Sequence, residues 1–263
     1  MKFKLWIHGF NGRMGQAIQE QLSPASEFEL IGGSGKGYIR TTLQEKNSSK
    51  PEDLVKNLSK ADCIIDFSGA EGNAYLLKSL IEDSSCEGKN ILIGSTGLSG
   101  PQIGAWKKLA KTGQNKILFA PNTSLGILVL LKTAQKLAKI FVSHNFDVEI
   151  VESHHRHKVD SPSGTAHLLA DGIANVADLK PINARRGQRQ RGEIGIAALR
   201  GGSVFGEHEV KFMGDLEELG ISHRALSREL FAKGALVLSK WLCQENNPAG
   251  YFELQDIELE DLL

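Results

Sequence analysis

The chain has 263 residues, and its 31 basic and 31 acidic side chains give a formal net charge of zero. Apolar residues make up 41% and charged residues 24%, which is typical of a globular protein and excludes a disordered chain. Binding to nucleic acid or to an acidic membrane surface needs a basic excess, so we expect neither as a partner.

Features of export, membrane insertion and thiolate metal binding are not found in the sequence. The longest apolar run, residues 127–131, is far shorter than the ~20 residues of a membrane-spanning helix. The first nine residues lack the apolar core of a signal peptide. Cys63, Cys86 and Cys243 are widely spaced and form no CxxC pair. We therefore expect a reduced, cytoplasmic protein without a metal site.

The first half of the chain alternates short apolar runs with amphipathic stretches. The apolar runs predict strands at Phe3–Ile7, Glu29–Ile31, Cys63–Phe67, Ile91–Ile93 and Ile117–Phe119. The amphipathic stretches predict helices at Met14–Leu22, Glu71–Glu82 and Pro101–Lys111. This alternation predicts an α/β fold, with a Rossmann-like parallel sheet that has helices on both faces and binds a nucleotide.

The pattern changes after Ser124. Helices are predicted at Leu125–Phe141, Ala166–Ala177 and Ser227–Trp241. Strands are predicted at Phe146–Glu152, Glu193–Arg200, Ser203–Phe212 and Gly220–His223. Gly-Gly and Gly-Asp turns between the last three strands indicate antiparallel pairing. We expect a dinucleotide-binding domain of residues 1–124 plus 229–263, and an inserted α+β domain of residues 125–228.

Three glycines follow the first predicted strand and open a helix. A dinucleotide-binding turn needs one glycine for a left-handed bend, one for close approach of the pyrophosphate, and one for helix–strand packing. Gly9, Gly12 and Gly15 have GxxGxxG spacing rather than GxGxxG, so a tight corner without a cofactor is the alternative. Their place directly after the first strand favours a cofactor turn.

The second predicted strand ends without an acidic residue. An Asp or Glu there would bind the ribose hydroxyls of NADH, whereas this chain has Gly32-Gly33-Ser34-Gly35-Lys36. Lys36, together with Arg13, could bind the 2′-phosphate of NADPH instead. This favours NADPH over NADH, and a solvent-exposed lysine is the alternative.

Segment 152–166 holds the densest group of chemically active residues. His154, His155 and Lys158 follow a predicted strand, and Ser163-Gly164-Thr165 lie at a predicted helix start. Such a helix start suits a carboxylate, and nearby histidine and lysine can neutralise a second carboxylate and supply protons. A zinc site and a serine hydrolase are less favoured: adjacent histidines on a strand end point apart, and Gly-x-Ser-x-Gly is incomplete.

The same segment, ESHHRHKVDSPSGTA, resembles the signature of the dihydrodipicolinate reductase family. Gly9–Gly15 resembles the cofactor turn of that family, Gly94–Gly97 its nicotinamide loop, and Ala120–Gly126 its interdomain segment. Segments 206–208 and 222–225 also resemble later parts of the family, so the resemblance covers nearly the whole chain.

The resemblance implies an NAD(P)H-dependent oxidoreductase. Its reaction would be the reduction of 4-hydroxy-tetrahydrodipicolinate, a small dicarboxylate, to tetrahydrodipicolinate with loss of water, in diaminopimelate and lysine biosynthesis. The inserted domain would bind the substrate and assemble a homotetramer through its sheet. An oxidoreductase of the aspartate-dehydrogenase type and a non-catalytic nucleotide sensor are the alternatives.

The resemblance also implies residue roles. The catalytic proton donors fall on His154 and Lys158, and the substrate contacts on His155, Ser163, Gly164 and Thr165. The cofactor contacts fall on Gly9, Phe10, Asn11, Gly12, Arg13, Met14, Gly94, Ser95, Thr96, Ala120, Pro121, Asn122 and Thr123, to which the charge argument adds Lys36. Thr123 replaces the Phe that is common in the family, which puts aromatic packing near the nicotinamide in question.

Overall fold

The computed structural model describes residues 2–35, 38–41, 50–112 and 114–262. The chain divides into two compact units, Met1–Thr123 with Phe231–Leu263, and Ser124–Leu230. The first unit contains a seven-stranded sheet and the second a five-stranded sheet.

The secondary structure alternates strands and helices in the first half and groups its strands in the second. The strands are β1 (Phe3–His8), β2 (Phe28–Gly35), β3 (Tyr38–Thr41), β4 (Cys63–Asp66), β5 (Asn90–Ile93), β6 (Lys116–Phe119), β7 (Asp147–His154), β8 (Lys180–Asn183), β9 (Glu193–Arg200), β10 (Glu207–Met213), β11 (Glu218–Arg224) and β12 (Gly250–Glu253). The α-helices are α1 (Arg13–Gln21), α2 (Pro51–Leu58), α3 (Gly69–Ile81), α4 (Gly100–Thr112), α5 (Leu125–Phe141), α6 (Gly164–Ala177) and α7 (Glu229–Leu242). Short 3-10 helices span Ser84–Cys86, Val142–His144, Leu254–Asp256 and Leu259–Leu262. Among the described helices, none combines the length and apolar character needed to span a bilayer.

The sheet of the first unit has the strand order β12-β6-β5-β4-β1-β2-β3. All of its strand pairs are parallel except the edge pair β2–β3. Trp6 and Ile64 pack in one core cluster with side chains of α2, α3 and α4. Leu5 and Ile7, on the opposite face of β1, are also fully buried. Burial on both faces explains the continuous apolar runs of these strands and confirms the predicted parallel α/β architecture.

The carboxyl ends of the parallel strands meet at one edge of this sheet. His8 ends β1 beside Asp66 of β4, which lies beside Ile93 of β5. Phe119 ends β6 in the same row. The glycine turn and segments 94–97 and 120–123 follow directly on these strand ends. In open α/β sheets, ligands bind at this edge.

The sheet of the second unit has the strand order β11-β10-β7-β9-β8. β10 pairs antiparallel with β11, as predicted, and with β7, whereas β7–β9 and β9–β8 are parallel. The predicted pairing of β9 with β10 is wrong, because β7 lies between them. Residues 201–206 form a connection longer than a two-residue hairpin turn, so β10 can cross to the far side of β7. Val148 and Ile150 of β7 pack with side chains of α5 and α6 in the core.

Four elements are not predicted from the sequence, namely β3, α2, β8 and β12. The three strands are four residues long and lie at sheet edges. A strand this short shows too little alternation to be recognised, and an edge strand has no need of a continuous apolar run.

Candidate active site

The buried face of β7 changes from apolar to polar toward its carboxyl end. Every second residue of this strand is buried, in the order Val148, Ile150, Glu152 and His154. Alternate residues of a strand share one face, so Glu152 and His154 continue the core row formed by the two aliphatic residues. The strand thereby places an acid and a base side by side at the start of the histidine–lysine loop.

Glu152 is fully buried and accepts four hydrogen bonds. Its Oε2 accepts from Nδ1 of His154 at 2.5 Å and from Nη1 of Arg200 at 2.9 Å. Its Oε1 accepts from Nη2 of Arg200 at 2.7 Å and from the backbone N–H of Ser163 at 3.0 Å. Burial by itself would raise the pKa of Glu152, but the hydrogen bonds from Arg200, His154 and Ser163 hold it below its usual range. Glu152 is therefore a carboxylate.

The two ring nitrogens of His154 differ: Nδ1 is hydrogen-bonded to Glu152, whereas Nε2 is not. Burial, aided by the positive charges of Lys158 and Arg200, lowers the pKa of His154, while Glu152 acts in the opposite direction. Because Nδ1–H donates to Glu152, any proton that His154 gains or gives is carried by Nε2. A Cβ at Gly206 would lie 3.0 Å from this nitrogen, so glycine at that position keeps space next to Nε2.

Lys158 and Asp160 form an ion pair in the loop that follows β7. Nζ of Lys158 lies 2.8 Å from Oδ1 of Asp160, and the backbone oxygen of Asp160 accepts from Nη2 of Arg200 at 2.6 Å. Burial alone would raise the pKa of Asp160, but the hydrogen bond and charge of Lys158 lower it, helped by the backbone N–H of Gly164. Asp160 thus places a carboxylate against two of the residues predicted to bind the substrate carboxylate.

Ser163 begins α6 as its N-cap residue. Its Oγ accepts from the backbone N–H of Ala166 at 3.2 Å, which is the usual capping bond. Gly164 and Thr165 are the first two residues of the helix, where backbone N–H groups point out of the helix end. The predicted residues His154, Lys158, Ser163 and Gly164 are thus brought together by their links to Glu152, Arg200 and Asp160.

His155 takes no part in this hydrogen-bonded group. Its ring lies 6.3 Å from the ring of His157, centroid to centroid. Its buried Nδ1 has no hydrogen-bond partner within the described ranges of the chain. The structure therefore leaves the predicted substrate contact of His155 as a prediction.

Arg200 and His208 belong to the site but are not predicted from the sequence. β9 brings Arg200 beside His154, and β10 brings His208 beside Glu152. The two rings of His154 and His208 meet edge to face, with centroids 5.1 Å apart. Both residues come from strands far along the chain, and only the alternation of β10, with buried Val210 and Phe212, could have indicated that His208 faces inward.

Glu152, His154 and His208 also have the chemistry of metal ligands. One ligand atom from each lies within 4.8 Å of the others. However, both oxygens of Glu152 already accept hydrogen bonds from Arg200, so a cation would have to displace a guanidinium and then lie beside its charge. These two hydrogen bonds argue against a cation at this group.

The glycine turn of the first unit has two positions, Gly9 and Gly15, that only glycine fits. Gly9 has a φ of +91°, and a Cβ there would lie 2.6 Å from the backbone oxygen of Phe67. A Cβ on Gly15 would collide with the backbone oxygens of Gly9 and Phe10. Gly12 caps α1 without a side-chain hydrogen bond, and the first turn of α1 has no acidic residue. A helix start of this kind fits the pyrophosphate of a dinucleotide.

A cavity of about 620 Å³ adjoins this turn. It is lined by residues that include His8, Gly9, Asn11, Gly12, Tyr38 and Tyr75. The hydroxyl of Tyr38 accepts a hydrogen bond from the backbone N–H of Asn11 at 2.7 Å. Arg13 is exposed, whereas Lys36, the basis of the predicted NADPH preference, lies outside the described residues.

The remaining predicted cofactor residues divide into exposed and buried positions. Met14 and Asn122 are half-buried, Thr96 and Pro121 are exposed, and Phe10, Gly94, Ser95, Ala120 and Thr123 are buried. The ring of Phe10 packs where Gly33 lacks a side chain, and that of Phe67 where Gly94 lacks one. Phe10 is thus a packing residue, and the missing side chain of Gly94 lets the ring of Phe67 approach its backbone closely.

Two hydroxyl groups at the edge of this sheet form hydrogen bonds with backbone groups of the protein. Oγ of Ser95 accepts from the backbone N–H of Gly69 at 2.9 Å. Oγ1 of Thr123 donates to the backbone oxygen of Phe231 at 2.7 Å. The hydroxyl of Thr123 therefore links segment 120–123 to α7 by a short hydrogen bond.

Comparison with known proteins gives one consistent family. The family model "Dihydrodipicolinate reductase, N-terminus" matches residues 3–123, and "Dihydrodipicolinate reductase, C-terminus" matches residues 126–257. The 4-hydroxy-tetrahydrodipicolinate reductase of Aquifex aeolicus is 36% identical over 276 residues, covering 98% of this chain and 99% of the relative. That of Zymomonas mobilis is 39% identical over 264 residues, covering 97% and 96%.

Solved structures share the fold at lower sequence identity. A dipicolinate-bound dihydrodipicolinate reductase from Paenisporosarcina sp. TG-14 has a TM-score of 0.76 and 22% identity, covering 98% of this chain and all of the other. A C. glutamicum DAP dehydrogenase in complex with DAP has a TM-score of 0.60 and 11% identity, covering 100% of this chain and 96% of the other.

The family indicated by segment 152–166 is thus confirmed, and with it the prediction of an oxidoreductase. Neither the aspartate-dehydrogenase type nor a nucleotide sensor is favoured, because the relatives match over nearly their full length and share one name. With both halves matched and relatives above 30% identity, the chain belongs to the dihydrodipicolinate reductase family.

Proposed function

We propose that this protein reduces 4-hydroxy-tetrahydrodipicolinate to tetrahydrodipicolinate, with loss of water and with NADPH or NADH as the reductant. The observation that carries the proposal is the pair Glu152–His154 beside Lys158 and the start of α6. This group combines a proton donor with cations and N–H groups suited to a dicarboxylate.

His154 is the proposed proton donor, through Nε2. Its pKa is lowered in the free protein, chiefly by burial, so the ring is neutral before the substrate arrives. Two substrate carboxylates close to the ring would raise this pKa, because nearby negative charge favours the imidazolium. Glu152 then stabilises the charged ring, so the acid forms when there is a substrate to receive its proton.

Lys158, His155 and the start of α6 are the proposed binding groups for the carboxylates. Lys158 already holds the carboxylate of Asp160 at 2.8 Å, which supports its use for a carboxylate of the substrate. Ser163 and Thr165 would add hydroxyl donors, and Gly164 a backbone N–H, at the positive end of the helix dipole. Lys158 is also the proposed second proton donor.

The glycine turn is the proposed dinucleotide site. Gly9, Asn11, Gly12, Arg13 and Met14 would hold the pyrophosphate, and segments 94–96 and 120–123 the nicotinamide end. The bound nicotinamide supplies the hydride of the reduction. We propose NADPH as the preferred cofactor, on the basis of the missing acid after β2 and of the cations Lys36 and Arg13.

The two parts of the chain have different proposed functions. Residues 1–124 with 229–263 would bind the dinucleotide, and residues 125–228 would bind the substrate and form a homotetramer. Exposed Leu199 and Met213, on β9 and β10, support a subunit contact at this sheet because such side chains gain from being covered. The three cysteines are buried free thiols, which supports a reducing, cytoplasmic location.

A coupled assay tests the function. The preceding synthase would generate the hydroxy-dicarboxylate from pyruvate and aspartate semialdehyde, and oxidation of NADPH and of NADH would be followed separately. We expect turnover with both and faster turnover with NADPH. Lys36→Ala should reduce this preference, whereas Lys60→Ala, at an exposed position of the same unit, should not. No turnover by protein that binds the cofactor would contradict the proposal.

A further inference from the structure

His208 contacts the start of α6 through one hydrogen bond. Its side chain is buried, with 3% of its surface exposed. Nε2 of His208 lies 3.2 Å from Oγ of Ser163. Strand β10 fixes this position, because His208 lies directly opposite Glu152, which itself holds the backbone N–H of Ser163.

The hydrogen bonds of Ser163 leave its hydroxyl proton undetermined. Oγ of Ser163 accepts from the N–H of Ala166, so it retains one lone pair and one proton for other partners. Either the hydroxyl donates to Nε2 of His208, or Nε2–H donates to the hydroxyl oxygen. Only in the second arrangement is the hydroxyl proton available to a ligand.

The other ring nitrogen decides between these arrangements. Burial, aided by the charge of His154, lowers the pKa of His208 to about 3, so the ring carries a single proton near neutral pH. Nδ1 is buried and has no hydrogen-bond partner among the residues that the structure describes. An unpaired buried N–H is rarer than an unpaired acceptor, so the proton is better placed on Nε2, where Ser163 accepts it.

We propose that His208 is a positioning residue for the substrate carboxylate. Its Nε2–H donates to Oγ of Ser163, which turns the hydroxyl proton of Ser163 outward to a carboxylate oxygen at the start of α6. His208 would thus act on binding through Ser163, without touching the substrate. The inference rests on the proposed role of Ser163 as a substrate contact.

The test compares His208→Phe with His208→Gln. Phenylalanine fills the space of the ring without a donor, whereas glutamine places an amide N–H near the position of Nε2. We expect His208→Phe to raise both KM and the Kd of dipicolinate by about 10-fold, the usual effect of losing a hydrogen bond to a charged group. Its kcat should change less, because the contact is made equally in the bound substrate and the transition state. His208→Gln should recover most of the affinity.

Controls separate this inference from a general loss of structure and from the proposed function. His144→Gln, at an exposed site of the same unit, should leave KM and Kd unchanged, and circular dichroism should show that each variant is folded. Adding His208→Phe to Ser163→Ala should weaken dipicolinate binding no further than Ser163→Ala alone.

Two results would overturn the inference in different ways. If Ser163→Ala binds dipicolinate as tightly as the wild type, then the proposed role of Ser163 is wrong and His208 has no carboxylate to act on. If Ser163→Ala weakens binding but folded His208→Phe does not, or if His208→Gln is as weak as His208→Phe, only the role of His208 is wrong.

Discussion

Glu152 and His154 lie two residues apart on the buried face of β7, and the carboxylate of Glu152 accepts the Nδ1–H of His154. The same carboxylate also accepts hydrogen bonds from Arg200 and from the backbone N–H of Ser163, the N-cap residue of α6. One buried acid therefore fixes the orientation of the imidazole, its tautomer and the position of the helix start. The strand that packs in the core of the second unit thus also carries the proposed proton donor.

Replacement of Glu152 should weaken the acid. Glu152→Gln removes the negative charge that raises the pKa of His154, so that pKa should fall further and less imidazolium should form at neutral pH. We expect kcat to fall by roughly 10- to 100-fold. The high-pH limb of the kcat/KM profile should move to lower pH. Glu149→Gln, on the opposite face of the same strand and paired with Arg185, should leave this limb in place.

His154 and Lys158 should each be needed for the chemical step. His154→Ala removes the imidazole whose Nε2 is the proposed site of proton donation, and Lys158→Ala removes a cation and the proposed second proton donor. We expect each change to lower kcat by roughly 10²-fold or more, the usual range for general acid catalysis. His157→Ala, at an exposed position of the same loop, is the matched control. Near-wild-type steady-state turnover of both variants would contradict the assignment.

Asp160 should compete with the substrate for Lys158. Its carboxylate lies 2.8 Å from Nζ of Lys158 and would have to leave before a substrate carboxylate takes its place. Because exposed ion pairs are weak, Asp160→Asn should tighten dipicolinate binding by only about 2- to 5-fold, as measured by calorimetry at low salt. High salt should reduce the difference, and Asp215→Asn, in a turn of the same unit, should show none. Weaker binding by Asp160→Asn would mean that Asp160 orients Lys158 instead.

The glycine turn should not tolerate a methyl group at Gly15. The Cβ of alanine would collide with the backbone oxygens of Gly9 and Phe10, so Gly15→Ala should cost about 1–3 kcal/mol of unfolding free energy. It should also abolish NADPH binding measured by fluorescence. Gly104→Ala is the control, since nothing lies within 4 Å of its Cβ. That change in α4 should stabilise the protein by about 0.5–1 kcal/mol and should leave cofactor binding intact.

The buried histidines should make the protein sensitive to acid. The pKa of His208 is about 3 in the folded protein against an ordinary 6.5, so the unfolded chain binds more protons between these values. Stability is therefore present above about pH 6.5 and is lost as the pH falls toward 3. His208→Gln should reduce the loss of unfolding free energy between pH 7 and pH 5, measured with urea. It should not abolish the loss, because burial also lowers the pKa of His8. An unchanged loss in His208→Gln, or an equal reduction in His144→Gln, would contradict this account.

The long, strongly patterned elements were predictable from the sequence. Both α5 and β9 have the predicted bounds, and in α5 the buried residues Ile127, Leu131, Ala134 and Ala138 recur at helical spacing. The pairing of β9 was not predictable. The Gly201-Gly202 dipeptide is typical of a hairpin turn, but the segment that contains it spans the width of β7. Local turn chemistry carries no information about which strand takes the central place.

The candidate site was predictable where its residues follow one another in the chain. The composition of residues 154–165 indicates a carboxylate site, which stays a prediction. Glu152 was visible in the same segment but had no assigned role, because its importance depends on Arg200 and Ser163 meeting at its oxygens. Arg200 and His208 come from other strands, and only the sheet register brings them to Glu152. Hydrogen-bond partners set by tertiary structure leave no signal in a single sequence.

The hydrogen bond between Thr123 and Phe231 has a consequence for engineering. The chain leaves the first unit after Thr123 and re-enters it at Phe231, and these two residues are joined by a contact of 2.7 Å. The entry and exit points of the inserted unit therefore coincide. A connection of a few residues could replace the whole insert and leave a shortened, continuous nucleotide-binding module. Conversely, the same junction offers a place to graft a different substrate-binding module onto this one.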